Sequence, residues 1–229
     1  MTPRADRDAP VSPEIVRLVD EALAARHGAR TWDGPGDPVG GLVGTILSQN
    51  TTGVNSREAF RRLREALPTW DDVADAPVKE VEQAIQTGGL ARQKAPRIIE
   101  VLRQIRGDQG RLSLALLNDM PVADAMRYLT SFRGVGPKTA GCVLMFDLGL
   151  HVFPVDTHVH RISRRLGWVP DKASAEKAQD LLEALIPGEA KYQLHINMVS
   201  HGRALCRPRI PGCDDCPIAD FCHYPDVGH

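Results

Sequence analysis

The chain has 229 residues, enough for one large domain or two small ones, and its 42% apolar and 25% charged residues are the ordinary balance of a globular protein. No run of about 18 apolar residues occurs, which excludes a membrane-spanning helix, and residues 1–10, acidic in part and without an apolar core, read as a solvated arm rather than a secretory or transit signal. The net charge of −1 excludes a nucleic-acid binder that works through bulk positive charge, so any such footprint has to come from basic residues gathered on one face.

Helical signals follow one another along the chain. Ser12 and Pro13 form an N-cap and first-turn pair that opens a helix to about His27, with Val16, Val19 and Leu23 on one face. Gly28 and residues 34–36 interrupt it. A helix over about 38–48 holds Val39, Leu42, Val43 and Ile46. Gly40, Gly41 and Gly44 weaken it by about 1 kcal/mol each relative to alanine, a pattern that close packing would explain. Helices are then predicted over about 55–67, 78–87, 93–106, 122–129 and 137–148. Others follow over about 157–166, 173–185 and 190–201, with a short one over 219–222. Pro68, Pro77, residues 107–110, Pro121, Pro170 and Pro187-Gly188 punctuate them. Strand alternation is scarce, so the predicted fold is all-α. Basic residues group as Arg92, Lys94, Arg97, Arg103 and Arg106, as Arg127, Arg133 and Lys138, and as Arg161, Arg164 and Arg165. Charge alone does not separate a nucleic-acid face from ordinary solvated helix faces.

Five cysteines are present, and four of them read Cys206-x6-Cys213-x2-Cys216-x5-Cys222. Such crowding is unlike the scattered disulfides of a secreted fold and points to a metal or cluster site in a reducing compartment. Four thiolates suit tetrahedral zinc or a four-iron cluster; one close pair and two wide spacings suit the cluster better. Cys142 stands apart in an apolar helix and reads as a core residue.

Residues 129–140 read Leu-Thr-Ser-Phe-Arg-Gly-Val-Gly-Pro-Lys-Thr-Ala. One helix ends near Leu129 and another begins at Pro137. The turn between them, Gly134-Val135-Gly136, bares backbone N–H groups beside a helix N-terminus, which favours an anion such as phosphate. Lys138 lies in the first turn of the second helix. Taken alone it reads as a phosphate contact before it reads as a nucleophile, since a lysine nucleophile attacks only as the neutral amine. Eighteen residues further on comes Val155-Asp156-Thr157-His158, whose aspartate is also a natural helix N-cap.

Together these segments resemble the endonuclease III family of helix-hairpin-helix DNA glycosylases, over essentially residues 12–222. Gly-Val-Gly-Pro-Lys-Thr-Ala matches the hairpin, Val-Asp-Thr-His the segment that supplies a catalytic aspartate, and the cysteine spacing, preceded by His201-Gly202-Arg203, the [4Fe–4S] loop. The resemblance implies Lys138 as nucleophile, Asp156 as the catalytic aspartate, ionised, that deprotonates Lys138 or stabilises positive charge on the sugar, and Cys206, Cys213, Cys216 and Cys222 as cluster ligands. Gly134, Gly136, His158, Arg207 and Arg209 would lie along the DNA backbone. Such enzymes take the target nucleotide out of the stack and support the gap. Leu47-Ser48-Gln49-Asn50-Thr51-Thr52 resembles the loop that places an amide in that gap, and either Gln49 or Asn50 would be the inserted residue. Gly53 falls where many relatives carry aspartate, which leaves local capping open. Thr87-Gly88-Gly89-Leu90, followed by Lys94-Ala95, resembles the second wedge loop, with Leu90 as the apolar plug.

The implied architecture is a six-helix lobe over about 31–149 and a cluster lobe combining residues 1–30 with about 150–229. Lys138 and Asp156 would face each other across a DNA-binding cleft. The implied activity is removal of oxidised pyrimidines from double-stranded DNA, followed by β-elimination through a Lys138 Schiff base. The expected enzyme is a monomer, free of membranes, cytoplasmic and nucleoid-associated, of bacterial or archaeal type. Two alternatives share the motifs. An adenine-specific mismatch glycosylase usually lacks the lysine and carries a further C-terminal domain, whereas this chain keeps Lys138 and runs seven residues past Cys222. A non-enzymatic iron–sulfur protein would bind DNA without cutting it.

Overall fold

A computed structural model describes residues 11–224; the solvated arm expected over residues 1–10 lies outside them. Among the described residues the chain is all-α, without a strand. In chain order the helices are α1 (Pro13–His27), α2 (Pro38–Ser48), α3 (Gly53–Ala66), α4 (Trp70–Asp75), α5 (Val78–Ala84) and α6 (Ala91–Gln109). Then come α7 (Val122–Thr130), α8 (Pro137–Cys142), α9 (Thr157–Arg165), α10 (Ala175–Leu185) and α11 (Gly188–Ala204). A five-residue π-helix, Val143–Asp147, continues α8.

The helix starts follow from the local sequence. Ser12, Asp37, Thr52, Asp156 and Ser174 each accept a hydrogen bond from a backbone N–H two or three residues on. Pro13, Pro38 and Pro137 occupy first-turn positions, where a missing N–H costs nothing. Thr52 therefore caps α3, and Gly53 needs no side chain for that purpose. Helix α4 is an addition to the predicted set. Its signal is Thr69-x-x-Asp72: the Thr69 hydroxyl accepts from Asp72 N at 3.0 Å and the Asp72 carboxylate accepts from Thr69 N at 2.8 Å.

The chain divides into two compact units. One is Gly34–Leu150, with α2 and α6 at its centre. Helix α2 packs on α3 and α8, and α6 on α4 and α5. Leu42, Ile46, Leu47, Ile98, Leu102 and Ile105 are completely buried there, each worth about 1.5–3 kcal/mol of removed apolar surface. The other unit joins the described residues up to Asp33 with those from His151 onward. In it α1 and α9 both pack on α11, burying Val16, Val19, Leu23, Val159, Leu194 and Met198.

The glycines of α2 make room for side chains from elsewhere in the first unit. A Cβ on Gly44 would touch the Phe60 ring at 3.7 Å, and one on Gly40 would stand 2.6 Å from the Asp37 carboxylate and 3.2 Å from Trp70. One on Gly41 would overlap the Asp147 carboxylate, which fills that space. Asp147 ends the π-helix and is half-buried. Burial, with the Asp37 charge second, pushes its carboxyl up to about 7. The unfolded chain gives up this proton near the ordinary aspartate value, about 4. Between those values the folded state holds more protons than the unfolded one, so stability falls as pH rises from about 4 to about 7. Asp147→Asn removes the titration, and its unfolding free energy should gain about 1–2 kcal/mol on the parent protein between pH 5 and pH 8, allowing for partial exposure. Thermal melts of the two proteins at both pH values measure this, and a gap that stays constant contradicts the assignment.

Candidate functional site

Within the unit Gly34–Leu150, the hairpin joins α7 to α8. Thr130 and Ser131 close α7, and Gly134 takes a φ of 77°, the left-handed backbone that suits glycine. Gly136 is the N-cap residue of α8, Pro137 its first residue and Lys138 its second. Lys138 is half-buried, while Thr139 and Ala140 beside it are buried and fix the helix start.

Gln49 is tied to this hairpin. Its Nε2 donates to Gly134 O at 3.2 Å and to Thr139 Oγ1 at 3.4 Å, and its Oε1 accepts from Arg97 Nη1 at 3.0 Å. The Arg97 side chain covers Gly134 so closely that a Cβ there would overlap it. Both ends of the Gln49 amide are thus engaged, and the hairpin and the end of α2 are one assembly. Asn50 differs: it is exposed, its φ is 53°, and among the described residues its side chain has no partner. Leu90, with φ 52°, precedes α6 and is 44% exposed, so it is no core residue.

Some residues that read as surface charge have other positions. Lys94 is 2% exposed, and its ammonium donates to Leu47 O at 2.7 Å and Gly88 O at 2.8 Å. Sequence reading placed it in a basic patch. Its phase with Ile98, Val101, Leu102 and Ile105 on α6 was the signal for burial. Arg103 donates to Ala74 O at 2.7 Å, and Arg106 pairs with Asp71 and Asp75. These bases hold α4 against α6.

In the unit built from the two ends of the chain, Asp156 is the N-cap of α9. Its Oδ1 accepts from His158 N and Val159 N, both at 2.8 Å. Among the described residues the second oxygen, Oδ2, has no hydrogen-bond partner. The run leading to it is pinned: Val152, Phe153 and Val155 are buried, Phe153 N donates to Glu183 Oε2 at 2.7 Å, and Lys191 bridges Glu183 and His151 O. His158 lies over Gly202, where a Cβ would be 2.7 Å from its Nδ1, and that nitrogen is 3.1 Å from Arg161 Nη2. Arg161 also donates to Cys206 O and Gly202 O, both at 2.9 Å.

Cys206, Cys213, Cys216 and Cys222 line one cavity, walled by Ile162, Leu166 and Ile218. Among the described residues no three His, Cys, Asp or Glu side chains converge as they would on a single metal ion. Burial pushes the Cys216 thiol up to about 11 and the Cys222 thiol upward as well, and the neighbouring cysteines add to both. Gathering four sulfurs as anions in such a cavity requires positive charge at its centre, which a cationic iron–sulfur core supplies, so the donor set fits one. Arg165 ties the loop at both ends. Its Nη1 donates to Cys206 Sγ and Arg207 O, both at 3.0 Å, and its backbone oxygen accepts from Cys222 Sγ at 3.4 Å. Arg207 and Arg209 are exposed on that loop.

Known proteins resemble this chain in sequence and fold. Residues 43–188 match the HhH-GPD superfamily of base excision DNA repair proteins. A protein of Arabidopsis thaliana named as a candidate DNA glycosylase is 43% identical over 190 residues, which are 79% of this chain and 65% of the plant protein. Endonuclease III of Thermotoga maritima is 35% identical over 188 residues, 82% of this chain and 84% of that enzyme. The protein chain of a non-covalent endonuclease III–DNA complex superposes with a TM-score of 0.79 at 28% identity, covering 94% of this chain and 97% of its own. With a plant among the relatives, the likeness is not confined to bacterial or archaeal proteins. No helix among the described residues is long and apolar enough to cross a membrane. The matched region takes in the hairpin, Lys138 and Asp156, and the chain belongs to the HhH-GPD superfamily of base excision DNA repair proteins, in its endonuclease III family.

Proposed function

We propose that this chain is a bifunctional DNA glycosylase/AP lyase that acts, as a monomer, on oxidised pyrimidines in double-stranded DNA. The observation that carries the reading is the presentation of Lys138: it stands in the first turn of α8, behind a glycine turn that Gln49 and Arg97 brace. In this reading the Lys138 amine attacks C1′ as the bond from C1′ to the base breaks and the base leaves with that electron pair. The nitrogen loses one proton, the C1′–O4′ bond opens as O4′ takes up a proton, C1′ and the nitrogen become a protonated Schiff base, and removal of a C2′ proton then expels the 3′ phosphate. Water then hydrolyses the Schiff base and frees Lys138. Asp156, with one oxygen held by the α9 backbone, keeps the other to take a proton or to stabilise positive charge developing on the sugar.

Asn50 fills the space left by the extruded nucleotide, because Gln49 is already engaged, and Leu90 wedges from the other loop. Gly134 and Gly136 offer backbone N–H groups to a phosphate, while His158, Arg207 and Arg209 contact the DNA backbone. Cys206, Cys213, Cys216 and Cys222 would hold a [4Fe–4S] cluster, which when bound would supply a rigid tie across residues 206–222, while base removal and strand cutting require no redox step. The reading places the protein in the cytoplasm with its DNA substrate.

The test is a panel of duplexes, each with one oxidised pyrimidine or one abasic site, incubated with purified protein with and without borohydride. Strand scission together with a borohydride-trapped protein–DNA adduct is the expected result. Binding to an abasic duplex with no scission would replace the enzyme by a DNA-binding protein.

A further inference from the structure

Two residues in the described chain hold left-handed backbone without being glycine: Asn50, φ 53°, and Leu90, φ 52°. For leucine such a conformation is unfavourable and persists only where its surroundings impose it, whereas asparagine adopts it readily past a helix end. Both residues stand just past the end of a helical segment. Asn50 follows α2, and Leu90 follows the 3-10 turn Gln86–Gly88. The last carbonyls of such segments lack partners within their own helix and form its negative end. Lys94 takes one carbonyl from each, Leu47 O and Gly88 O. These lie three residues before Asn50 and two before Leu90.

The cost of this arrangement says something about its use. An ammonium buried to this degree is expensive unless its hydrogen bonds replace the lost water. Among the described residues no carboxylate pairs with Lys94, and burial pulls its proton affinity down. Packing alone does not call for a charge here. The position lies on the apolar stripe of α6, and methionine would fill the same volume. What methionine could not do is bond two carbonyls at once. The two segments also approach closely at this point, since a Cβ on Gly88 would stand 3.0 Å from Ala59 Cβ and 3.9 Å from Leu47 O.

We propose that Lys94 is a positioning residue: its ammonium sets the spacing between residues 49–52 and 89–90, so that Asn50 and Leu90 enter the duplex as one two-pronged wedge. The proposal rests on the reading that these two side chains open the DNA. Lys94 touches no DNA itself. It acts through the backbone of both loops, and each loop keeps its left-handed residue in register because the same cation holds the other.

The test compares the full-length protein with Lys94→Met, which keeps the volume, Lys94→Gln, which reaches one carbonyl at a time, and Lys94→Arg, which keeps the donors and the charge. The first readout is amide hydrogen exchange, which needs no activity. Loss of charge-assisted bonds should speed exchange about tenfold in Lys94→Met, in residues 47–52 and 87–91 together, with the rest of α2 and α6 unchanged. Lys94→Gln should fall between, and Lys94→Arg should restore protection. The second readout is cutting of one oxidised pyrimidine in two duplexes, one fully paired and one with the opposite nucleotide missing. The paired duplex should lose about tenfold more rate than the gapped one, since only the former must be wedged apart. A merely structural lysine would lower both alike. Unchanged exchange in either segment, or equal losses on both duplexes, overturns the proposal. If the parent protein cuts neither duplex, the lesion-processing reading fails, and the exchange data alone decide whether Lys94 couples the loops.

Discussion

Lys138→Gln should abolish both strand scission and borohydride trapping, a loss of at least about a thousandfold, equivalent to roughly 4 kcal/mol of transition-state stabilisation. Glutamine keeps a polar end on a chain of similar reach, so the first turn of α8 should form as before. The parts that would bind DNA remain in place: Gly134, Gly136, and the Gln49 and Arg97 braces. Affinity for an abasic duplex should therefore change little, which separates loss of the nucleophile from loss of binding. The two measurements are trapping with borohydride and a binding titration on the same oligonucleotide. A trapped adduct of normal yield in the variant would take Lys138 out of the chemistry. Loss of binding in step with scission would make it a phosphate contact.

Asp156→Asn is the second large effect, and here the structure permits a clean separation. The Asp156 Oδ1 caps α9 through two backbone N–H groups. Asparagine is about as good an N-cap as aspartate. The variant should thus melt within a degree or two of the parent while base release falls about 10²–10⁴-fold, the range for a group that handles charge or protons in the transition state. Asp156→Ala should add a stability loss of about 1 kcal/mol, because the cap goes too. Single-turnover base release and thermal melts of both variants give the comparison. Near-normal turnover in Asp156→Asn would reduce the residue to a cap.

Much of this was legible in the sequence because the relevant physics is local. Capping residues announce themselves within three positions, so Ser12 marks the start of α1, whereas the start predicted near residue 173 runs ahead of the Ser174 cap of α10. The cysteine spacing and the hairpin string are equally local. What escaped depends on partners far along the chain. Gln49 and Asn50 are adjacent amides with the same chemistry, and nothing nearby says which is engaged. Gln49 is, because Gly134 and Thr139, 85 and 90 residues away, accept from it. The α2 glycines read as weakness until the Asp147 carboxylate is found occupying the space over Gly41. Lys94 was hidden by its type: a lysine is expected in water, and only its phase on α6 contradicted that expectation. Arg161 and Arg165 read as a basic patch, whereas their guanidinium groups are largely spent on carbonyls of the cysteine loop.

The pairing of α1 with α11 bears on how the molecule is made. His27 and His201 meet at 3.2 Å although 174 residues separate them. A nascent chain leaving the ribosome presents α1 well before α11, the helix whose surface buries Val16, Val19 and Leu23. The intervening unit, Gly34–Leu150, is compact in itself and can condense while α1 still waits, solvated and without a partner. Closing so long a loop is slow, and the aspartate and cysteine segments share the unit that depends on it. Assembly therefore runs from the middle outward, and the unit that carries Asp156 and the cysteines is complete only once α11 and the loop after it have been made.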